Sequence, residues 1–178
     1  MILSTRLRRK RSCITALLLM LLMASSAFAA LKPNDPAPTF SLRDNTGKVF
    51  SLNDVVGAQS KEKANGVILS FFASWCMACR DELPIINSVV DEMKSKGIRV
   101  VIVGFKEDFV RINGLLAELK VDKPVVVNDQ EGKVGEEYGI RFLPVTFFIG
   151  ADDQIKQIIY GGISDGKEVR EAAGRLLK

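Results

Sequence analysis

The stretch VILSFFASWCMACRDELP, from Val67 to Pro84, decides the fold. Val67 to Phe72 is a near-continuous apolar run, the pattern of a strand covered on both faces. Past Trp75 and Cys76 the pattern changes. Ile86, Val89, Val90 and Met93 recur at helical spacing, and Gly97 stops the helix near Lys96, while Pro84 kinks its early turns. Cys76 therefore falls where a buried strand hands over to a helix. A sulfur there meets unpaired backbone N–H groups and the positive end of the helix dipole, and both favour thiolate, the attacking species. Cys79 lies one turn later on the same face, within reach of a mixed disulfide on Cys76. Cys76 thus reads as the nucleophile and Cys79 as the resolving thiol, with Trp75 shielding the outer side.

The rest of the composition narrows what else this pair does. Of the chain's 178 residues, the first 29 have the order of a secretory signal peptide. Arg6, Arg8, Arg9, Lys10 and Arg11 form a basic cluster, Ile14 to Ala24 an apolar run, and Ala27-Phe28-Ala29 a small-x-small cleavage site after Ala29. An uncleaved anchor is the alternative, since Ile14 to Ala30 is barely long enough to span a membrane. Cleavage would discard Cys13 and five of the 25 basic residues, leaving twenty basic against 21 acidic ones in residues 30–178. The basic whole-chain balance belongs to the leader, so nothing points to nucleic acid. One cysteine pair closing so small a loop restricts the unfolded chain little, so it is no stabilising staple. The chain has no histidine, which removes imidazole bases, Cys-His nucleophile pairs and His-containing zinc or copper sites. Met77 leaves one metal alternative open, a Cu(I) site of Cys76, Cys79 and Met77.

Outside the central stretch the pattern is that of one α/β domain over 30–178. Leu31 to Phe40, with three prolines, is an irregular lead-in. Phe40 to Leu42 and Val49 to Leu52 flank the turn Asp44 to Lys48 as a hairpin, and Asn53 to Asn65 reads as a short helix and a loop. Ile98 to Val103 is a second buried strand, Glu107 to Lys120 a helix weakened by Gly114, Lys123 to Val127 a strand and Gly132 to Tyr138 a short helix. Val145 to Ile149 and Gln154 to Tyr160 form a closing hairpin. A last helix from Ser164 or Asp165 carries the stripe Val169, Ala172, Ala173, Leu176 and Leu177. Strands alternating with helices give an α/β sandwich around a mixed sheet.

Three motifs, PAPTFSLRDNTGKVFSL (36–52), SFFASWCMACRDELP (70–84) and YGIRFLPVTFFIGADDQI (138–155), together resemble the thioredoxin superfamily. Within it the chain is similar to the exported TlpA/ResA-like thiol-disulfide oxidoreductases. The resemblance implies a thioredoxin-like fold, a mixed central β-sheet flanked by helices, with an N-terminal β-hairpin and a central helix-strand insertion over Gly104 to Val127. It makes Pro144 the family's cis proline facing the cysteines. It places Trp75, Met77, Ala78, Leu143 and Val145 along the substrate, and it matches Glu82 to a carboxylate that handles protons. Glu107 falls where relatives carry another acidic residue. Ser70 stands where thioredoxin has a buried aspartate, so Glu82 becomes the leading proton acceptor. Met77-Ala78 departs from the Pro-Pro or Glu-Pro pair of close relatives. A peroxiredoxin reading lacks its threonine three residues before the cysteine, where this chain has Ala73. The function implied is a periplasmic reductase of client protein disulfides, such as apocytochrome c, fed by a membrane thiol donor, monomeric and without a cofactor beyond the Cys76–Cys79 disulfide. An oxidase or isomerase of secreted proteins, and the Cu(I) chaperone, are the competing expectations.

Overall fold

A computed structural model describes residues 30–177; the expected leader with its expected cut after Ala29, and Cys13, lie outside the described residues. Strand β3 (Gly66–Phe72) is buried along its whole length, because its two faces are covered by two different cores. Ile68 and Phe72 point to one side, Val67, Leu69 and Phe71 to the other, the two-residue alternation of a pleated strand. On either side of β3 lie β4 (Ile98–Phe105), parallel to it, and β6 (Val145–Gly150), antiparallel. β5 (Val125–Asp129) and β7 (Ile155–Tyr160) complete a mixed sheet in the order β5-β4-β3-β6-β7.

One face of the sheet is covered by α2 (Met77–Ser95), α3 (Phe109–Leu119) and α5 (Gly166–Ala173). The opposite face carries the lead-in, the hairpin β1 (Ser41–Arg43) and β2 (Val49–Ser51), α1 (Leu52–Val55) and α4 (Lys133–Glu137). There Phe40, Phe71, Tyr138 and Phe147 stack as an aromatic cluster, Tyr138 edge-on to Phe147 at 4.9 Å between centroids. The hairpin also closes the β5 edge, where Asn45 N–H donates to the Val126 carbonyl at 3.1 Å. This is the thioredoxin-like fold expected from the sequence, with α3 and β5 as the central helix and strand.

Several boundaries differ from the sequence reading. α3 starts at Phe109, not Glu107, because Asp108 caps it by accepting the Arg111 N–H at 2.9 Å. That leaves Glu107 in the turn between β4 and α3. β5 runs from Val125 to Asp129 rather than starting at Lys123. α2 carries Pro84 without ending there; the proline has no N–H to donate to the Arg80 carbonyl. It stops where Gly97, at φ +71°, takes the left-handed conformation that closes a helix. The last stripe holds for Val169, Ala172, Ala173 and Leu176, but Leu177 is 47% exposed. From Gly174 the chain tightens into a 3-10 turn, whose three-residue period swings Leu177 off the buried face.

Candidate active site

The end of β3 and the start of α2 build the site. Cys76 is the N-cap of α2, with extended backbone, and its Sγ accepts the Cys79 N–H at 3.2 Å. That bond is one of the orphan donors at a helix start, aimed at the sulfur rather than at water. Cys76 and Cys79 are joined by a disulfide with their Cα atoms 5.3 Å apart. The two are not equivalent: Cys76 is 7% exposed and Cys79 1%. Trp75, Met77 and Ala78 around them are exposed, Met77 at 72%. The next cation in sequence, Arg80, is paired with Glu118 on α3.

Beneath the disulfide lies Glu82, one helical turn beyond Cys79 and only 1% exposed. Its Oε1 accepts the hydroxyls of Ser70 at 2.9 Å and Thr146 at 3.2 Å; its Oε2 accepts the Ile163 N–H at 2.9 Å. Ser70 on β3 and Thr146 on β6 are cross-strand partners, so one step of the ladder supplies both hydroxyls. Burial pushes the carboxyl above its ordinary range. The three donors pull it back by stabilising the anion, and the Glu168 charge adds to the upward push. A carboxyl poised in this way can take a proton from a thiol and return it.

The opposite wall is the start of β6. The Leu143–Pro144 peptide is cis. Because Phe71 pairs with Val145, Pro144 sits one step beyond the end of the ladder, beside the point where β3 gives way to the cysteine turn. The Pro144 carbonyl accepts the Gly161 N–H at 3.0 Å, and Gly162 approaches α2 closely enough that a side chain there would touch the Ala78 carbonyl. Leu143 is half-buried between the two cores. Val145 does not present its side chain to this wall. It is 2% exposed, turned by the alternation of β6 to the face it shares with Phe147. Tyr160, the cross-strand partner of Val145, lies on that same face, 57% exposed, with its ring centroid 5.7 Å from that of Phe142.

On the other flank, Glu107 is 6% exposed, with both oxygens accepting from Ser74. The sequence reading does not identify Thr146, Ser74 or the Ile163 N–H as neighbours of the site. A signal existed for the first: Thr146, like Ser70, is a lone polar residue in an apolar strand, which a buried partner explains. Phe142 and Tyr160 meet only through the β6–β7 register, which no local pattern reveals. Among the described residues, no group of three or more Cys, Asp or Glu is placed to hold a metal ion, and no helix is long and apolar enough to cross a membrane.

Residues 33–158 match the AhpC/TSA family. The thiol-disulfide oxidoreductase ResA of Bacillus subtilis (strain 168) is 28% identical over 167 residues, which are 89% of each protein. ResA of Bacillus thuringiensis subsp. konkukian is 30% identical over 125 residues, 70% of this chain and 68% of that protein. Among solved structures, a Chlorobium tepidum protein assigned as thiol:disulfide interchange protein DsbE superposes with a TM-score of 0.72 at 27% identity, covering 84% of this chain and all of the other. StoA of Bacillus subtilis, at 22% identity and a TM-score of 0.63, shares the fold. The chain belongs to the AhpC/TSA family, and it is a thiol-disulfide oxidoreductase of the ResA and DsbE type.

Proposed function

We propose that this oxidoreductase works outside the cytoplasm as a reductase of protein disulfides, with apocytochrome c the leading client class. The observation that carries the reading is the inequality of its two sulfurs. Cys76 caps the helix N-terminus and keeps 7% of its surface in solvent, while Cys79, at 1%, is enclosed one turn behind it. In the reduced protein the Cys76 thiolate attacks a client disulfide. A Cys76–client bond forms as the client S–S bond breaks, and one client sulfur leaves as thiolate. Cys79 then gives up its proton and attacks Cys76, releasing the second client sulfur and closing the Cys76–Cys79 disulfide. Glu82 is the group within the helix turn that accepts the Cys79 proton. Two electrons have passed to the client, and a thiol donor at the membrane restores the dithiol.

Protein clients suit the rim. Two of the large exposed apolar side chains, Trp75 and Met77, flank Cys76, where an extended chain would cover them. Pro144 and Leu143 form the wall against which that chain would lie. Export rests on the leader in residues 1–29.

The direction of electron flow follows from what surrounds the thiolate. A strong dithiol oxidant owes its potential to a stabilised reduced form. Here the residues between the cysteines, Met77 and Ala78, carry no charge, the chain has no histidine, and Arg80 is engaged with Glu118. Among the described residues, the donor at the Cys76 sulfur is the Cys79 N–H of the helix terminus. A redox titration against glutathione or dithiothreitol is expected to give a midpoint nearer thioredoxin's, about −270 mV, than the oxidising end at about −120 mV. A value at the oxidising end contradicts the reductase reading and favours the oxidase.

A further inference from the structure

Glu107 is a buried carboxylate that the reaction described above does not use. A carboxylate that leaves water is costly to bury unless its oxygens accept hydrogen bonds. Here both oxygens are satisfied by one residue. Oε2 accepts the Ser74 backbone N–H at 2.7 Å and Oε1 the Ser74 hydroxyl at 2.6 Å. The acid is itself firmly placed. Lys106 before it takes a left-handed turn off β4, at φ 56°, and its N–H donates to the Asp129 carbonyl at 3.0 Å. Asp108 after it caps α3. Glu107 is thus a rigid two-pronged grip extended from the β4–α3 turn.

What it grips is the turn that carries the chemistry. Ser74 lies two residues before Cys76, and inside that turn the Cys76 N–H donates to the Ala73 carbonyl at 3.1 Å. Trp75, between Ser74 and Cys76, is 66% exposed and sits over a depression of about 400 Å³ that Lys106, Asp108, Arg111 and Gln130 also line. Glu107 is therefore the anchor that ties this turn to the neighbouring β4–α3 element. Disulfide exchange needs the attacking sulfur aligned with the bond it breaks, and a misplacement of about 1 Å can cost a hundredfold in rate.

We propose that Glu107 is a positioning residue: by holding Ser74 through both of its hydrogen-bonding groups, it sets the direction in which Cys76 and Trp75 face a client. The proposal rests on the reading that Cys76 attacks client disulfides. It assigns Glu107 no contact with the substrate and no proton to move.

The test compares Glu107→Ala, Glu107→Gln, Ser74→Ala and the Glu107→Ala/Ser74→Ala double variant in the full protein. Three quantities are read: the rate at which the dithiol form reduces insulin disulfides, the pH profile of Cys76 alkylation by iodoacetamide, and the emission of Trp75, the chain's single tryptophan. Glu107→Ala is expected to slow insulin reduction about tenfold or more, the factor that ~1.4 kcal/mol corresponds to, and to shift the Trp75 emission. Glu107→Gln, which can still accept on one oxygen, should recover part of both, and the double variant should be no slower than Glu107→Ala. Wild-type rates and emission in Glu107→Ala, or losses in the two single variants that multiply in the double one, overturn the proposal. If Glu107→Ala does not fold, Glu107→Gln and Ser74→Ala decide by the same readouts. A wild-type protein that leaves insulin intact would instead contradict the reductase reading, while Trp75 emission and Cys76 alkylation still report on the grip.

Discussion

Replacing Cys76 by serine is expected to bring protein-disulfide reduction down to the uncatalysed background, a loss of about 10³-fold or more by analogy with other deleted nucleophiles. The expectation rests on access and charge together. Only a thiolate attacks a disulfide, and Cys76 is the less enclosed sulfur, 7% against 1% exposed, and the one that caps a helix N-terminus. Cys79, at 1% exposure beneath it, cannot be approached by a folded client and so cannot substitute. The same inequality predicts that limiting iodoacetamide labels the reduced wild-type protein at Cys76 first, with Cys79 modified only slowly; peptide mapping checks this. Equal labelling, or substantial turnover by Cys76→Ser, would contradict the assignment of unequal roles.

Glu82→Gln is expected to have the second largest effect, on rate and on stability in opposite senses. The amide is nearly isosteric. Its oxygen can accept the Ile163 N–H, and its NH2 can donate to the Ser70 and Thr146 hydroxyls, so the fold has no reason to open. What disappears is the proton acceptor. Positioned acid-base groups contribute about 10²–10⁴-fold, so reduction should slow by about 10²-fold with the Cys76–client intermediate accumulating. The rate of the native protein should also rise with pH as Glu82 ionises, a limb that Glu82→Gln lacks.

For stability the sign runs the other way. Burial raises the folded carboxyl above its ordinary 4.5, so the fold favours the protonated form. That contribution is fully present below pH 4.5 and is lost as pH rises through the elevated folded value. Across this window the unfolding free energy of the native protein, relative to Glu82→Gln, should fall by up to ~1.4 kcal/mol per pH unit. Urea denaturation of both oxidised proteins over a pH series measures it. A difference that stays flat would mean that Glu82 is not held above its ordinary range.

Much of this site was legible in the sequence because its signals are local. A buried strand meeting an amphipathic helix puts a cysteine at a helix start whatever the tertiary fold, and β3 and α2 follow that pattern closely. Glu82 was readable as Cys79's neighbour from helical spacing alone. Its burial was not, since that depends on Ser70, Thr146 and Ile163 arriving from two strands and a distant loop. The family resemblance carried Pro144, whose cis peptide no spacing rule supplies. Val145 shows the limit of placing a residue by proximity in sequence. It adjoins the cis proline, yet the strand's alternation turns its side chain into the core it shares with Phe147. Glu107 opens a helix in the sequence pattern; the cap at Asp108 instead leaves it in the turn, where it reaches Ser74.

The central claim is that Cys76 attacks a client disulfide and Cys79 releases the product. It is tested most directly by expressing the full-length Cys79→Ser chain in the native host and identifying what remains bound by non-reducing gel shifts and mass spectrometry. The account predicts mixed disulfides between Cys76 and exported proteins, released by dithiothreitol and missing from a Cys76→Ser/Cys79→Ser control, with c-type apocytochromes among them. Recovery of no disulfide-linked protein, or of the same proteins in the double variant, would contradict it.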